Sequence, residues 1–311
     1  MTEAADNGDS TNEFPPDYRA GLVALAGRPN VGKSTLVNRL VGHKVSIVTH
    51  KAQTTRHRIA GVASYPGGQL VLLDTPGLHR QARRALNRQM NRTAEKTLQD
   101  ADAVMMVVEA GRWTDEDADV LKAVQASPAK RYAIINKIDR VADKTQLLPY
   151  IEAHFSDDEF SGVYMVSARN GAGLETLIEQ LLAAMPQSPP LYPVDQISDR
   201  PVRFLCAELV REQLMQRLHE ELPYGLTVTV EDWKNHQRSV EIHAVIWVSR
   251  DSHKGMVIGK GGEVLKQVGT AARLAIQELI EQRVQLRLWV KVRADWADDE
   301  RALGRFGYGD D

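Results

Sequence analysis

Between residues 20 and 186, short apolar runs alternate with stretches whose apolar positions recur every three to four residues. The runs "GLVALAG", "QLVLLD", "AVMMVVEA", "YAIINK" and "VYMVSA" carry too few polar positions for strands with one wet face. They predict strands buried on both sides, and the amphipathic stretches between them predict crossover helices. The alternation gives an α/β fold with a doubly wound sheet.

The pattern breaks at "PQSPPLYP", where Pro186, Pro189, Pro190 and Pro193 fall within eight residues. Fixed φ and missing N–H groups predict a semi-stiff linker there. Beyond it the order reads helix, strand, strand, helix, helix, strand. "PVRFLCAELVREQLMQRLHEEL" is amphipathic, and "LTVTVEDW" and "SVEIHAVIWV" are strands by alternation and β-branching. The expected organisation is an acidic disordered tail over 1–18, a first domain over 19–186, a linker over 187–197, and a smaller α+β domain over 198–311.

A length of 311 residues suits two domains, each able to bury a core. The formal net charge of −2 offers no global attraction to nucleic acid, so a basic surface has to be local. Cys206 is the lone cysteine, which rules out a disulfide within the chain and suits a reducing compartment. Its expected role is that of a small core residue on an apolar helix face. The opening "MTEAADNGDSTNEFPPD" has five acids and no base, unlike a signal peptide. With no uncharged apolar run long enough to cross a bilayer, a cytoplasmic protein is expected. The nine histidines lack metal-binding spacing.

Gly27-Arg28-Pro29-Asn30-Val31-Gly32-Lys33-Ser34 fits the Walker A pattern, and it follows a predicted strand and opens a predicted helix. Glycine-rich backbone N–H groups with a helix N-terminus beneath them suit a phosphate. Lys33 would reach the β- and γ-oxygens, and the Ser34 hydroxyl, followed by Thr35, would reach Mg²⁺. Asp74-Thr75-Pro76-Gly77 ends a strand: Asp74 can hold a Mg²⁺-bound water and the Gly77 N–H can sense the γ-phosphate. Asn136-Lys137-Ile138-Asp139 ends another. Guanine presents N1–H and N2–H₂ side by side, a pair that one buried carboxylate, Asp139, accepts from both. Leaving that carboxylate unpaired against adenine would cost several kcal/mol, so GTP is preferred over ATP. Lys137 would cover the base face, and Ser167-Ala168 would bring a backbone N–H towards O6.

These stretches, with "KVSIVTHKAQTTRHRIAGV" as a switch region, resemble the GTPases of the Era family. By alignment of "TTR", Thr55 is the threonine that closes over Mg²⁺, with Thr54 as the alternative. Leu78 stands where Ras-like enzymes place a water-orienting glutamine, so slow intrinsic hydrolysis is expected. The resemblance implies K⁺ near Asn30 in place of an arginine finger; the alternative is a loop residue bonding only backbone.

In the second domain Gly259-Lys260-Gly261-Gly262 lies between two helical stretches and fits the GXXG loop of KH domains. A capping turn is the plainer reading. Arg250, Lys254, Lys260, Lys266 and Arg273 against Asp251 and Glu263 make a local basic patch. In "VQLRLWVKV" one face carries Val284, Leu286, Leu288, Val290 and Val292, the other Arg287, Trp289 and Lys291. Interleaved cation and aromatic suit single-stranded RNA; the alternative is a solvated face with Trp289 packed under a loop. The run from His79 to Arg92, with five arginines and no acid, is either the solvated face of a helix or a further RNA contact.

The order of elements and the ending "ADWADDERALGRFGYGDD" complete the resemblance, with a type II KH topology. It implies a monomer binding GTP and GDP, contact with the 3′ end of small-subunit ribosomal RNA, a role in maturing the small ribosomal subunit, and peripheral association with the inner membrane. Two alternatives remain: a metabolic P-loop ATPase or kinase, and a GTP-gated RNA-binding protein without meaningful turnover.

Overall fold

The computed structural model describes residues 14–51, 53–77, 85–155, 158–218, 225–294, 296–306 and 308. Leu78, residues 79–84 of the arginine-rich run and residues 1–13 of the acidic segment lie outside them.

The first domain is a six-stranded sheet in the order β2-β3-β1-β4-β5-β6. It is built from β1 (Arg19–Ala26), β2 (Ile59–Tyr65), β3 (Gly68–Asp74), β4 (Ala103–Glu109), β5 (Lys130–Asn136) and β6 (Gly162–Met165). Between them run α1 (Lys33–Val41), α2 (Ala85–Asp100), α3 (Asp115–Gln125) and α4 (Leu147–His154), with α5 (Leu174–Ala184) last. Strand alternation sorts β1 cleanly. Val23 and Leu25 enter a core with Leu36, Val37 and Leu40 of α1 and Leu177 and Leu181 of α5. Ala24 and Ala26 enter another with Leu98 of α2, Val120 and Val124 of α3 and Leu147 of α4. Helices thus cover both faces, which is why the parallel strands read as continuous apolar runs.

β2 is the one antiparallel member, joined to β3 by the two-residue Pro66-Gly67 turn across the Tyr65–Gly68 pair. Its first four residues, 59–62, end the stretch assigned to the switch, and no strand is predicted there. Gly61 explains how it packs: a Cβ would meet Val41 at 2.8 Å, Val37 at 2.9 Å and Val45 at 3.2 Å, so only a glycine lets α1 lie so close. The chain order reverses between β1 and β4, which places a ligand crevice at their carboxyl ends.

The proline-rich segment lies along the outer strand rather than spanning open space. Val62 N–H donates to the Ile197 carbonyl (3.0 Å) and Asp199 N–H to the Ala60 carbonyl (3.1 Å). The wholly buried Gln69 accepts from Leu191 and Tyr192 N–H at 2.9 and 3.0 Å. At the other end of the domain Tyr18 is buried and its ring lies 5.2 Å from that of Phe14, tilted by 55°, so this end of the segment read as a tail is docked.

The second domain follows the expected order: α6 (Val202–Arg217), β7 (Leu226–His236), β8 (Ser239–Val248), α7 (Asp251–Ile258), α8 (Glu263–Ile280) and β9 (Arg283–Val292). β7 and β8 are antiparallel, β8 and β9 parallel. One face of this sheet, with Ile242, Ala244, Ile246, Val284 and Val290, packs on α6 and α8. A short α9 (Glu300–Arg305), capped by the Asp299 carboxylate on the N–H of Arg301 and Ala302, follows β9 and is not predicted. It adds Ala302 and Leu303 to a cluster of Trp296, Ala297 and Tyr308 with Ala85, Leu86 and Met90 of α2. The described part of the arginine-rich run is therefore helix with one face buried against the C-terminal segment.

Cys206 is fully buried in α6, the core role expected of it, and burial pushes its thiol up to about 12. Among the described residues no helix is long and apolar enough to cross a membrane, and no group of acids, histidines or cysteines has the arrangement of a metal centre.

Candidate functional site

The glycine-rich turn after β1 closes over itself. Gly32 has φ 106°, and a Cβ there would stand 2.3 Å from Asn136 Nδ2. A Cβ on Gly27 would meet the Val107 carbonyl at 2.5 Å, so β4 and the turn are in close contact. Lys33, at the start of α1, is buried and donates to the carbonyls of Gly27 (2.6 Å) and Arg28 (3.2 Å), which holds the amine at the mouth of the turn. Burial lowers its ammonium to about 8, against the opposing pull of Asp74. Burial likewise raises the Asp74 carboxyl, against Lys33 and the hydroxyls of Ser34, Ser46 and Thr55.

Three oxygens meet beside that lysine. Ser34 Oγ lies 3.0 Å from Thr55 Oγ1, and Thr55 Oγ1 lies 3.4 Å from Asp74 Oδ2. Asp74 Oδ1 is buried with no hydrogen-bond partner among the described residues. Two hydroxyls and a carboxylate, with one acceptor unsatisfied, are a donor set suited to a hard cation such as Mg²⁺. Thr54 is turned away: its Oγ1 bonds Thr49 Oγ1 (2.6 Å) and the Lys51 carbonyl (2.7 Å). Of the two threonines left open by the sequence, the structure brings Thr55 to Ser34 and Asp74.

A cavity of about 230 Å³ runs from this point across the ends of the strands. At one end it is lined by Asn30, Gly32, Lys33, Ser34, Thr35 and Gly77, at the other by Asn136, Lys137, Asp139 and Ala168. Gly77 lies against Pro29, where a Cβ would be 3.3 Å from the ring. Asn30, Gln53 and Lys137, three of the four described non-glycine residues with positive φ, all line the cavity, so backbone strain is concentrated there. The Asn30 amide donates to the His50 carbonyl at 2.8 Å and so ties the glycine-rich turn to the switch stretch.

The far end differs from expectation in two details. Asp139 is exposed rather than buried, because it sits on a surface turn; a base laid over it would bury it. The Ser167 hydroxyl donates to it at 2.6 Å and holds its carboxyl below the usual range. The Ala168 N–H, expected to face guanine O6, donates to Asn136 Oδ1 (3.0 Å), and the Ser167 N–H to the Ala172 carbonyl (2.9 Å). O6 would have to share the Ala168 proton. Asn136, 2 % exposed, also donates to the Val31 carbonyl at 2.8 Å, so it clamps the phosphate turn and the 167–168 loop together. Lys137 is held along the cavity by Glu109 at 3.0 Å, and Glu109 also pairs with Arg28, itself bonded to buried Asp117. This buried ion network behind the cavity has no local sequence signal, since its members come from four separate segments.

In the second domain Gly259–Gly262 forms an open turn between α7 and α8. Lys260 and Gly261 are exposed, and a Cβ on Gly261 or Gly262 would meet nothing within 4 Å. Beside it runs a groove lined by Leu265, Lys266, Gly269, Thr270 and Arg273 of α8 and by Leu286 and Leu288 of β9. Lys254, exposed on α7, lies before the loop. The apolar floor was missed from sequence, because Leu286 and Leu288 read there as core; they are only half-buried.

Because strand residues alternate, Arg287, Trp289 and Lys291 face away from that groove. On that side Arg287 pairs with Glu241 at 2.9 Å, Trp289 is 42 % exposed beside the His243 ring, and Lys291 lies 5.5 Å over the Trp247 ring. The glycine loop and the β9 cations therefore belong to two different surfaces.

Family models agree with this division. One described as a 50S ribosome-binding GTPase matches residues 22–137, and a KH domain model matches residues 221–297. The protein named GTPase Era from Stenotrophomonas maltophilia (strain R551-3) is 50% identical over 291 residues, covering 94% of this chain and 98% of that protein. GTPase Era from Xanthomonas oryzae pv. oryzae (strain MAFF 311018) is also 50% identical, with 94% and 97% covered. Among solved structures, an Aquifex aeolicus Era variant bound to GDP.AlF4- superposes with a TM-score of 0.89 at 36% identity, covering 94% of this chain and 99% of that one. An Era complex with MgGDPNP and nucleotides 1506-1542 of 16S ribosomal RNA gives the same figures. Two curated relatives at half identity along nearly their whole length, and a site built as a GTPase requires, lead to one conclusion: this chain belongs to the Era family of GTPases, with a P-loop GTPase domain followed by a KH domain.

Proposed function

We propose that this GTPase is a switch that loads onto the single-stranded 3′ end of small-subunit ribosomal RNA and is reset by slow GTP hydrolysis during maturation of the small ribosomal subunit. The observation that carries this reading is that both nucleotide-sensing segments touch the RNA-binding half: the stretch around Thr55 lies on α6, and α2, which follows Gly77, packs on the C-terminal segment.

The roles follow from placement. Gly27, Val31, Gly32 and Thr35 shape the phosphate turn, and Lys33 sets a charge against the β- and γ-phosphates. Ser34, Thr55 and Asp74 would hold Mg²⁺, which neutralises charge developing on the phosphate oxygens. Gly77 N–H reads the γ-phosphate. Asp139 accepts the guanine donor pair, Lys137 covers the base, and Asn136 with Ser167 and Ala168 fixes the wall behind it. Asn30 keeps its carbonyl oxygen for K⁺. Leu78 offers no group to orient water, hence the slow rate. The GXXG loop with Lys254 and Lys260 takes backbone phosphates, and the Leu265–Leu288 groove takes unstacked bases. Arg287 and Lys291, on the opposite face, would meet a different part of the RNA. The reading of a monomeric, cytoplasmic protein with a peripheral place at the inner membrane is supported by the family resemblance, and a lone cysteine suits a reducing compartment.

The test pairs RNA binding with single-turnover hydrolysis. Lys260→Asp with Gly261→Asp puts two carboxylates where a phosphate sits, in space the fold leaves open. Affinity for a short single-stranded RNA is expected to fall by at least about a hundredfold, because a like-charge juxtaposition costs several kcal/mol. Basal hydrolysis should remain, and any RNA stimulation should vanish. Filter binding equal to the parent's would remove the KH groove from the mechanism. A parent that hydrolyses no GTP with or without RNA would favour a GTP-gated binder.

A further inference from the structure

α6 is buried along nearly its whole length, and its polar side chains are buried too. Glu208, Arg211, Glu212 and Gln213 are all under 9 % exposed. The sequence reads as an amphipathic helix, whose polar face should be wet. That face instead receives Lys44, Val48 and Thr54 of the first domain. Glu212 accepts at both oxygens, from Lys44 Nζ at 2.6 Å and from the Val48 N–H at 2.8 Å. Arg211, wholly buried, is held as a fork by Glu208 through Nε and Nη2 bonds of 2.7 and 2.6 Å; Nη2 also donates to the Thr54 carbonyl, and Nη1 lies 3.1 Å from Met215 Sδ. At the end of the helix the Leu218 carbonyl accepts from Lys51.

The Thr54 carbonyl belongs to the same peptide plane as the Thr55 nitrogen. Fixing that plane fixes how Thr55 leaves it, and hence where Oγ1 points: towards Ser34 and Asp74. Among the described residues no helix or strand holds this stretch between α1 and β2, so its own turn, with Thr54 bonded to Thr49 and Lys51, and its contacts with α6 together set its conformation. A buried Arg–Glu pair adds little net stability compared with apolar side chains of the same volume. What an apolar trio lacks is direction, and a planar fork pinned on one side supplies it.

We infer that Arg211, oriented by Glu208, and Glu212 are positioning residues acting across the domain boundary: from the RNA-binding half they set the peptide that aims the Thr55 hydroxyl, so that docking of α6 and preference for GTP over GDP are one equilibrium. The inference rests on Thr55 being the metal-closing threonine. Coupling of this kind is reciprocal, so whatever loosens α6 lowers affinity for GTP, and GTP tightens α6.

Removing Arg211 alone would take from buried Glu208 its hydrogen-bonded partner and leave it only the attraction of His57 and Arg56, so the test replaces both, Glu208→Leu with Arg211→Met, in the full chain. Glu212→Gln is a second, milder variant that keeps an acceptor for Val48 but loses the charge facing Lys44. Affinities for a non-hydrolysable GTP analogue and for GDP are measured over a range of Mg²⁺. In the double variant, folded by circular dichroism, analogue affinity should fall about tenfold, GDP affinity should stay within about twofold, and more Mg²⁺ should be needed for the analogue. Adding Thr55→Ala discriminates: once the hydroxyl is gone, the α6 substitutions should no longer change the analogue-to-GDP ratio, whereas a merely structural weakening would still lower both affinities. An unchanged ratio in the folded double variant, or equal losses for both nucleotides, overturns the inference. If Thr55→Ala alone leaves the ratio at the parent's value, it is the reading of Thr55 that fails.

Discussion

At the scale of single residues, Lys33 shows how burial tunes the site. Its ammonium is buried before any phosphate arrives, and burial lowers it from 10.5 to about 8. The sign follows directly. Between pH 8 and 10.5 the unfolded chain holds the proton that the folded chain has lost, so this group makes the nucleotide-free fold more stable as pH rises through that window. Nucleotide binding runs the other way, because the phosphates need the charged form and raise its proton affinity. GDP affinity should hold steady up to about pH 8 and then fall, approaching about tenfold per pH unit. Titration by fluorescence between pH 7 and 9 checks it, with Lys33→Arg, whose guanidinium stays charged, expected to bind weakly but without that slope. A parallel slope in both proteins would assign the effect to the nucleotide. Lys33 was legible in the sequence because the Walker spacing fixes its geometry locally. Asn136 was placed at the site, yet its work is to bond the Val31 carbonyl and the Ala168 N–H, both distant in sequence. Arg28, Asp117 and Glu109 gave no signal at all, since a buried ion pair needs both partners and nothing local says which residue another will meet.

At the scale of elements, periodicity identified strands that are buried on both faces and helices with one apolar stripe. It failed where burial has another source. β2 reads as a switch segment because its pairing is antiparallel and its neighbours are polar; its packing depends on Gly61, whose missing side chain leaves no trace in an apolar pattern. α6 reads in the sequence as an amphipathic helix, but no periodicity distinguishes a wet glutamate from one bonded to another domain. The glycine loop shows the opposite case, an element whose residues divide by role. Gly259 has φ 76° and ψ 173°, and a Cβ there would stand 2.5 Å from Val264. Gly261, at φ 62°, faces open space. Gly259→Ala should therefore cost about 1–3 kcal/mol of stability for backbone strain, with a further loss from the clash, while Gly261→Ala, left-handed but unobstructed, should cost only its backbone strain of about 1–2 kcal/mol. Urea unfolding of the two variants separates them. Equal costs would mean that the turn relaxes as a unit and that Gly259 is not its steric keystone.

At the scale of the whole molecule, the proline-rich segment decides where one domain ends. Its composition reads as a spacer, and prolines do stiffen it, but it is tied to the sheet along its length: Gln187 bridges Arg19, residues 191 and 192 bond Gln69, and residues 197–199 pair with the edge of β2. Gly61 and Ser198 form a bridge, Ala60 N–H donates to Asp199 Oδ1 at 2.9 Å, and Gln69 bonds the backbone of residues 191 and 192 on both its amide atoms. Tyr192 packs against Ala60, Val71 and Leu73. The segment therefore belongs structurally to the GTPase half, and any swing of the KH half has to hinge near Pro201, where α6 begins, rather than among the prolines. A fragment ending at residue 186 would leave the β2 edge open and the Gln69 Oε1 without its two donors, with Nε2 keeping only Ser64; one ending at residue 200 would keep all of these bonds. Each buried polar group left unpaired costs about 1–3 kcal/mol, and in a domain of this size each kcal/mol moves the melting midpoint by about 2–4 °C. The 14–186 fragment should accordingly melt at least about 5 °C below 14–200, and its open edge strand should promote association at high concentration. Scanning calorimetry with light scattering on the two fragments measures both effects. Equal midpoints would show that the edge contributes nothing to the GTPase fold, return the boundary to residue 186, and place the hinge back within the prolines.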